Sequence, residues 1–136
     1  MQAFATWAGG YRTTLDDGRT HRLTVDLPRD EGGEGAGPTA LELGVLALAG
    51  CVSTVFALVA RRRRLSFERM TVGLEAEKPE GAATITRVRG TLRLRTKASQ
   101  EDVATALRLT LRTCPMGVLF HNAGVPVEIE PVVEHG

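Results

Sequence analysis

The residues of this 136-residue chain best suited to chemistry are its two cysteines, Cys51 and Cys114. A thiolate is a nucleophile, and two thiols that meet can cycle through a sulfenic acid and a disulfide. Cys51 closes the apolar stretch "GPTALELGVLALAGC", and Cys114 opens "CPMGVLF". Each also has a purely structural reading, because cysteine packs well as a small apolar residue inside a helix. Burial raises a thiol's pKa and opposes reactivity, so a reactive Cys51 requires something positive beside it. His21, His121 and His135 share no ligand spacing with one another or with the cysteines, so no zinc site or other metal is expected.

Composition narrows the partners. Seventeen basic residues against sixteen acidic ones leave a nearly balanced charge, with no electrostatic case for a nucleic-acid partner. A small molecule or another protein is expected instead. The opening "MQAFATWAGGYR" has neither the basic start nor the continuous apolar core of a signal peptide, which predicts a cytoplasmic protein. In a reducing compartment two cysteines read as free, catalytic or redox-sensing thiols rather than a permanent cross-link. The length suits one domain, residues 1–136.

The elements that must position the cysteines can be read in order. "FATWAGGYRTTL" and "RTHRLTVDLP" are β-type runs separated by Asp16, Asp17 and Gly18, a hairpin signal. "PRDEGGEGAGP" reads as a flexible glycine-rich loop and lacks the Gly-Lys-Ser/Thr ending of a phosphate-binding loop. A long helix follows over about Thr39 to Arg62, opened by Thr39 and Glu42 as a capping box. A second hairpin, "SFERMTVGLEAE" and "ATITRVRGTLRLRT", turns around "KPEGA". A second helix starts near Ser99, carries Val103, Leu107, Leu111 and Cys114 on one stripe, and is stopped by Pro115. The strand "VPVEIEPVV" closes the chain. The order β-hairpin, long central helix, β-hairpin, helix, strand predicts an α+β fold.

Leu43 to Ala60 carry no charge over 18 residues and end in Arg61, Arg62, Arg63 and Arg64, the outline of a short membrane span with a basic flank. Gly44, Gly50, Ser53 and Thr54 dilute that stretch, and a buried central helix explains it without a membrane. The arginines then end the helix and complement its dipole. A helix roughly 35 Å long and apolar all round is more than one small monomer can cover, which predicts a homodimer with two such helices packed together.

"VDLPRDEGGEGAGPTALELGVLALAGC", the basic helix end, and "TCPMGVLF" followed by "VPVEIE" resemble the OsmC/Ohr family of thiol-dependent hydroperoxide reductases, on the OsmC-like side of it, over nearly the whole chain. The resemblance implies an intertwined homodimer whose sheets wrap two central helices. It implies that Cys51 is the peroxidatic thiolate, that Cys114 resolves it as a disulfide, and that a dithiol reductant reopens the bond. No metal or organic cofactor is implied. By the same resemblance Glu42 and an arginine near Arg12 assist catalysis, with Arg19 or Arg22 as alternatives to Arg12. Nine residues apart on an ideal helix, Glu42 and Cys51 point in opposite directions and differ by roughly 13 Å in height, so Glu42 acts across a dimer, through an arginine, or only as a cap. Two functions stand: a peroxidase reducing hydroperoxides with apolar tails, near Leu48, Val55 and Leu58; or a non-enzymatic dimeric domain that binds a small apolar ligand or senses redox state.

Overall fold

Alternating residues around glycine-rich turns build the N-terminal sheet. Strands β1 (Phe4–Trp7), β2 (Thr13–Asp16) and β3 (Arg22–Val25) pair antiparallel in that order. The first apolar run is therefore two strands, not one. Gly9 and Gly10, both at positive φ, turn the chain between β1 and β2, and the Trp7 indole donates to the Gly10 carbonyl at 2.8 Å. The Asp16–Gly18 turn between β2 and β3 forms as expected, with the Asp16 carboxylate accepting from the Gly18 amide at 2.7 Å. The computed structural model describes Met1–His135.

The glycine-rich loop after β3 is ordered around one carboxylate. Asp26 is buried, and it accepts from the amides of Leu27 (2.8 Å), Glu34 (3.1 Å) and Ala36 (3.1 Å). Burial pushes this carboxyl up, but those amides and the Arg12 charge outweigh it and hold it below the usual carboxylate range. Arg29–Glu31 form a single 3-10 turn within the loop. Gly33 is required there because any Cβ would meet the Leu27 carbonyl. The expected flexible loop is thus a fixed one.

Helix α1 covers Ala40–Arg62. Thr39 and Glu42 close the capping box reciprocally: the Thr39 amide donates to Glu42 Oε1 at 3.0 Å, and the Glu42 amide donates to Thr39 Oγ1 at 3.1 Å. The chain divides into two compact units, Met1–Leu46 and Ala47 onward, and the boundary falls within this helix. With a mean hydropathy of 2.3, α1 is long and apolar enough to cross a membrane by length and composition.

In the second unit, Leu48, Val52, Phe56 and Ala60 recur every four residues along α1 and are all fully buried. Phe56 meets Phe67 edge to face, with ring centroids 6.2 Å apart. Strands β4 (Arg69–Glu77) and β5 (Arg87–Arg95) pair antiparallel, and β6 (Val127–Glu134) adds to β5 in parallel. Val88, Leu92 and Leu94 of β5 are fully buried. The alternate residues form an ion-pair ladder: Arg87 with Glu128 (2.8 Å), Arg89 with Glu77 (2.6 Å), Arg93 with Glu134 (2.9 Å). Exposed pairs of this kind contribute little each, yet they keep this face outward. Pro131 interrupts no central ladder, since β6 is an edge strand.

Between β5 and β6 stand two helices, α2 (Gln100–Thr113) and α3 (Pro115–Asn122). Ser99 caps α2 by accepting from the Asp102 amide at 3.1 Å. Val103, Ala106, Leu107 and Thr110 form its buried stripe, while Leu111 is only half-buried. Pro115 does end α2, but it also occupies the first position of α3, a helix the sequence reading did not include.

Candidate active site

Cys114 is the joint between α2 and α3. Its extended backbone (φ −66°, ψ 114°) ends one helix and begins the next. Its amide donates to the Thr110 carbonyl at 2.8 Å, and its carbonyl accepts from the Val118 amide at 2.9 Å. Its sulfur accepts from the Gly117 amide at 3.4 Å, in the place a serine or aspartate usually takes at a helix start. The thiol is completely enclosed.

Cys51 comes from α1, one position before the buried Val52, and is half-buried. The structure brings its side chain against Cys114, within hydrogen-bonding reach, and both are free thiols. Burial first, then the hydrogen bond to the Cys51 sulfur, pushes the Cys114 thiol up to about 11, against the pull of the Gly117 and Met116 amides. Cys114 is thus the enclosed and more firmly protonated of the two neighbouring thiols, and Cys51 the less enclosed one.

A model of the OsmC-like protein family matches residues 32–130, most of the chain and both cysteines. The chain belongs to the OsmC family. Solved OsmC-family structures carry the same fold along nearly the full chain. An OsmC-like protein from Mycoplasma pneumoniae superposes with a TM-score of 0.88 at 12% identity, covering 98% of this chain and 96% of its own. An organic hydroperoxide resistance protein OsmC from Legionella pneumophila gives 0.71 at 19% identity, covering 97% of both. An organic hydroperoxide resistance protein from Elizabethkingia anophelis gives 0.70 at 15% identity, covering 100% of this chain and 97% of its own. At these identities the likeness is one of fold. No curated protein sequence matches the chain.

The remaining OsmC-type candidates lie in the first unit, each engaged locally. Arg12 reaches Glu34 at 2.9 Å and the Ala8 carbonyl at 3.3 Å. Arg19 pairs with Asp17 at 3.2 Å, and Arg22 with Asp16 at 2.8 Å. Glu42 is exposed, and the Thr39 amide and then its hydroxyl hold its carboxyl below the usual range. Of the apolar residues near Cys51, Leu48 belongs to the core, whereas Val55 is half-buried and Leu58 is 51% exposed. Sequence reading missed the Gly117 and Met116 amides. Their signal was Pro115 directly after a capping residue, the mark of a helix starting as well as one stopping. Among the described residues no three His, Cys, Asp or Glu side chains gather as metal ligands do. A cavity of about 510 Å3 lies elsewhere, over the ion-pair face of the second sheet, and among the described residues no cysteine lines it.

Proposed function

We propose that this OsmC-family protein is a cysteine-based reductase of organic hydroperoxides, acting in the cytoplasm as a homodimer. The observation that carries this reading is the pair of adjacent free thiols with unequal access, Cys51 half-buried and Cys114 enclosed. The Cys51 thiolate attacks the terminal oxygen of R–O–O–H. The O–O bond breaks, the alkoxide leaves and takes up a proton as ROH, and Cys51 becomes a sulfenic acid. Cys114 then gives up its proton and attacks the Cys51 sulfur, forming the disulfide and releasing water. A dithiol reductant returns two electrons, reopening the bond as it becomes a disulfide itself. Val55 and Leu58 offer apolar contact to the organic group. Arg12 is the first candidate to favour the thiolate, with Glu42 orienting it.

Support also comes from the hydroperoxide resistance proteins that share the fold, and from an exposed side of α1. Gly50, Thr54 and Leu58, on the side of α1 away from the buried stripe, are exposed. A second α1 from a partner copy suits that face. The test is stoichiometric. About one equivalent of cumene hydroperoxide added to reduced protein should consume both thiols and yield a Cys51–Cys114 linked peptide by mass spectrometry, and Cys51→Ser should reduce peroxide loss to the uncatalysed rate. Free thiols persisting alongside intact peroxide would refute the reading. Arg12→Ala should slow the first step, with Arg19→Ala and Arg22→Ala as comparisons.

A further inference from the structure

A second cavity, about 330 Å3, lies among α2, α3 and the start of β6. Its size falls at the lower end of small-molecule pockets, about 300–1,000 Å3. Leu111, Val118, Val125 and Val127 make it apolar, and Arg112 and His121 are the polar side chains on its lining. Among the described residues no carboxylate and no cysteine lines it. Arg112, on α2, takes part in no ion pair among the described residues, unlike Arg87, Arg89, Arg93 and Arg95 of this unit's sheet, which each face a glutamate. An apolar chamber with an unneutralised guanidinium and an imidazole on its lining is the complement of a molecule with an apolar body and one acidic end.

We propose that this cavity binds a small amphipathic carboxylate, its hydrocarbon part against Leu111, Val118, Val125 and Val127 and its carboxylate on Arg112 and His121. The site goes beyond the peroxidase reading and does not depend on it. It adjoins the thiol chemistry through Gly117, which lines the cavity and whose amide donates to the Cys114 sulfur. A bound carboxylate therefore braces the first turn of α3, the turn that holds Cys114.

Calorimetric titration of the reduced full-length protein with octanoate, 1-octanol and acetate, at fixed ionic strength and without peroxide, tests this. Octanoate should bind, with 1-octanol and acetate each at least about tenfold weaker, as expected for losing a charged hydrogen bond or the apolar contact. Arg112→Ala should weaken octanoate by about tenfold or more and leave 1-octanol unchanged. Arg112 is exposed, so the variant should keep its fold, checked by circular dichroism. Val118→Glu, which puts a carboxylate on the cavity wall, should also abolish octanoate binding. No heat with octanoate, equal affinities for octanoate and 1-octanol, or full octanoate affinity in Arg112→Ala would each overturn the proposal. Because no thiol is oxidised in the assay, a failure here leaves the peroxidase reading intact, and the reverse holds too.

Discussion

At the scale of single residues, the proton on Cys114 separates the two thiols. Enclosure and the bond to Cys51 push the Cys114 thiol up to about 11 from its ordinary value of 9.0. In the folded protein at pH 8, iodoacetamide should modify Cys51 and leave Cys114 untouched until denaturant is added, as read by peptide mass mapping. The same proton links stability to alkaline pH. The folded state holds it more tightly than the unfolded chain, so this contribution is complete below about pH 9 and is lost as pH rises toward 11. The urea midpoint should fall over that window, and the fall should be smaller in Cys114→Ala. Cysteine types and positions were legible in the sequence, whereas the unequal enclosure of the two thiols was not. Whether a thiol is enclosed or reachable depends on packing partners far away in the chain.

Helix ends show how far local signals reach at the scale of elements. Helices α1 and α3 end in the same way: the Leu65 amide donates to the Ala60 carbonyl (2.9 Å) and Arg64 to Arg61 (3.2 Å), and likewise Val125 to Phe120 and Gly124 to His121 (both 2.9 Å). The left-handed residue is Gly124 in α3, at φ 76°, but Arg64 in α1, at φ 56°. A side chain is strained there and glycine is not. Arg64→Gly should therefore stabilise the protein by about 0.5–1 kcal/mol in chemical denaturation, less than the full strain because glycine also loosens the unfolded chain. The arginine run ends its helix as its position suggested. The capping box of α1 and the Ser99 cap of α2 were equally legible, since each is written within four residues. Helix α3 was overlooked for a physical reason: proline after Cys114 forbids continuing α2 but favours starting another helix, and the first meaning was taken alone.

At the scale of the whole molecule, α1 carries more apolar surface than one chain covers, with 22% of its most apolar window buried and Leu58 half open. If two copies pair along α1, Leu58→Arg should convert a dimer into a monomer in sedimentation velocity, while the buried stripe of Leu48, Val52, Phe56 and Ala60 continues to hold the second unit together. The amino-acid sequence by itself determined the α+β class, the long central helix, its start and its basic end, because periodicity, caps and turns act over a few residues. It also carried the OsmC-like pattern around both cysteines. Only the tertiary structure decided that Cys51 and Cys114 touch, that β6 runs parallel to β5, and that Arg112 and His121 share a cavity. Those relations join segments with no local signal for one another, and they arise only when burying the stripes of α1 and α2 and the inner face of β5 brings distant parts of the chain into contact.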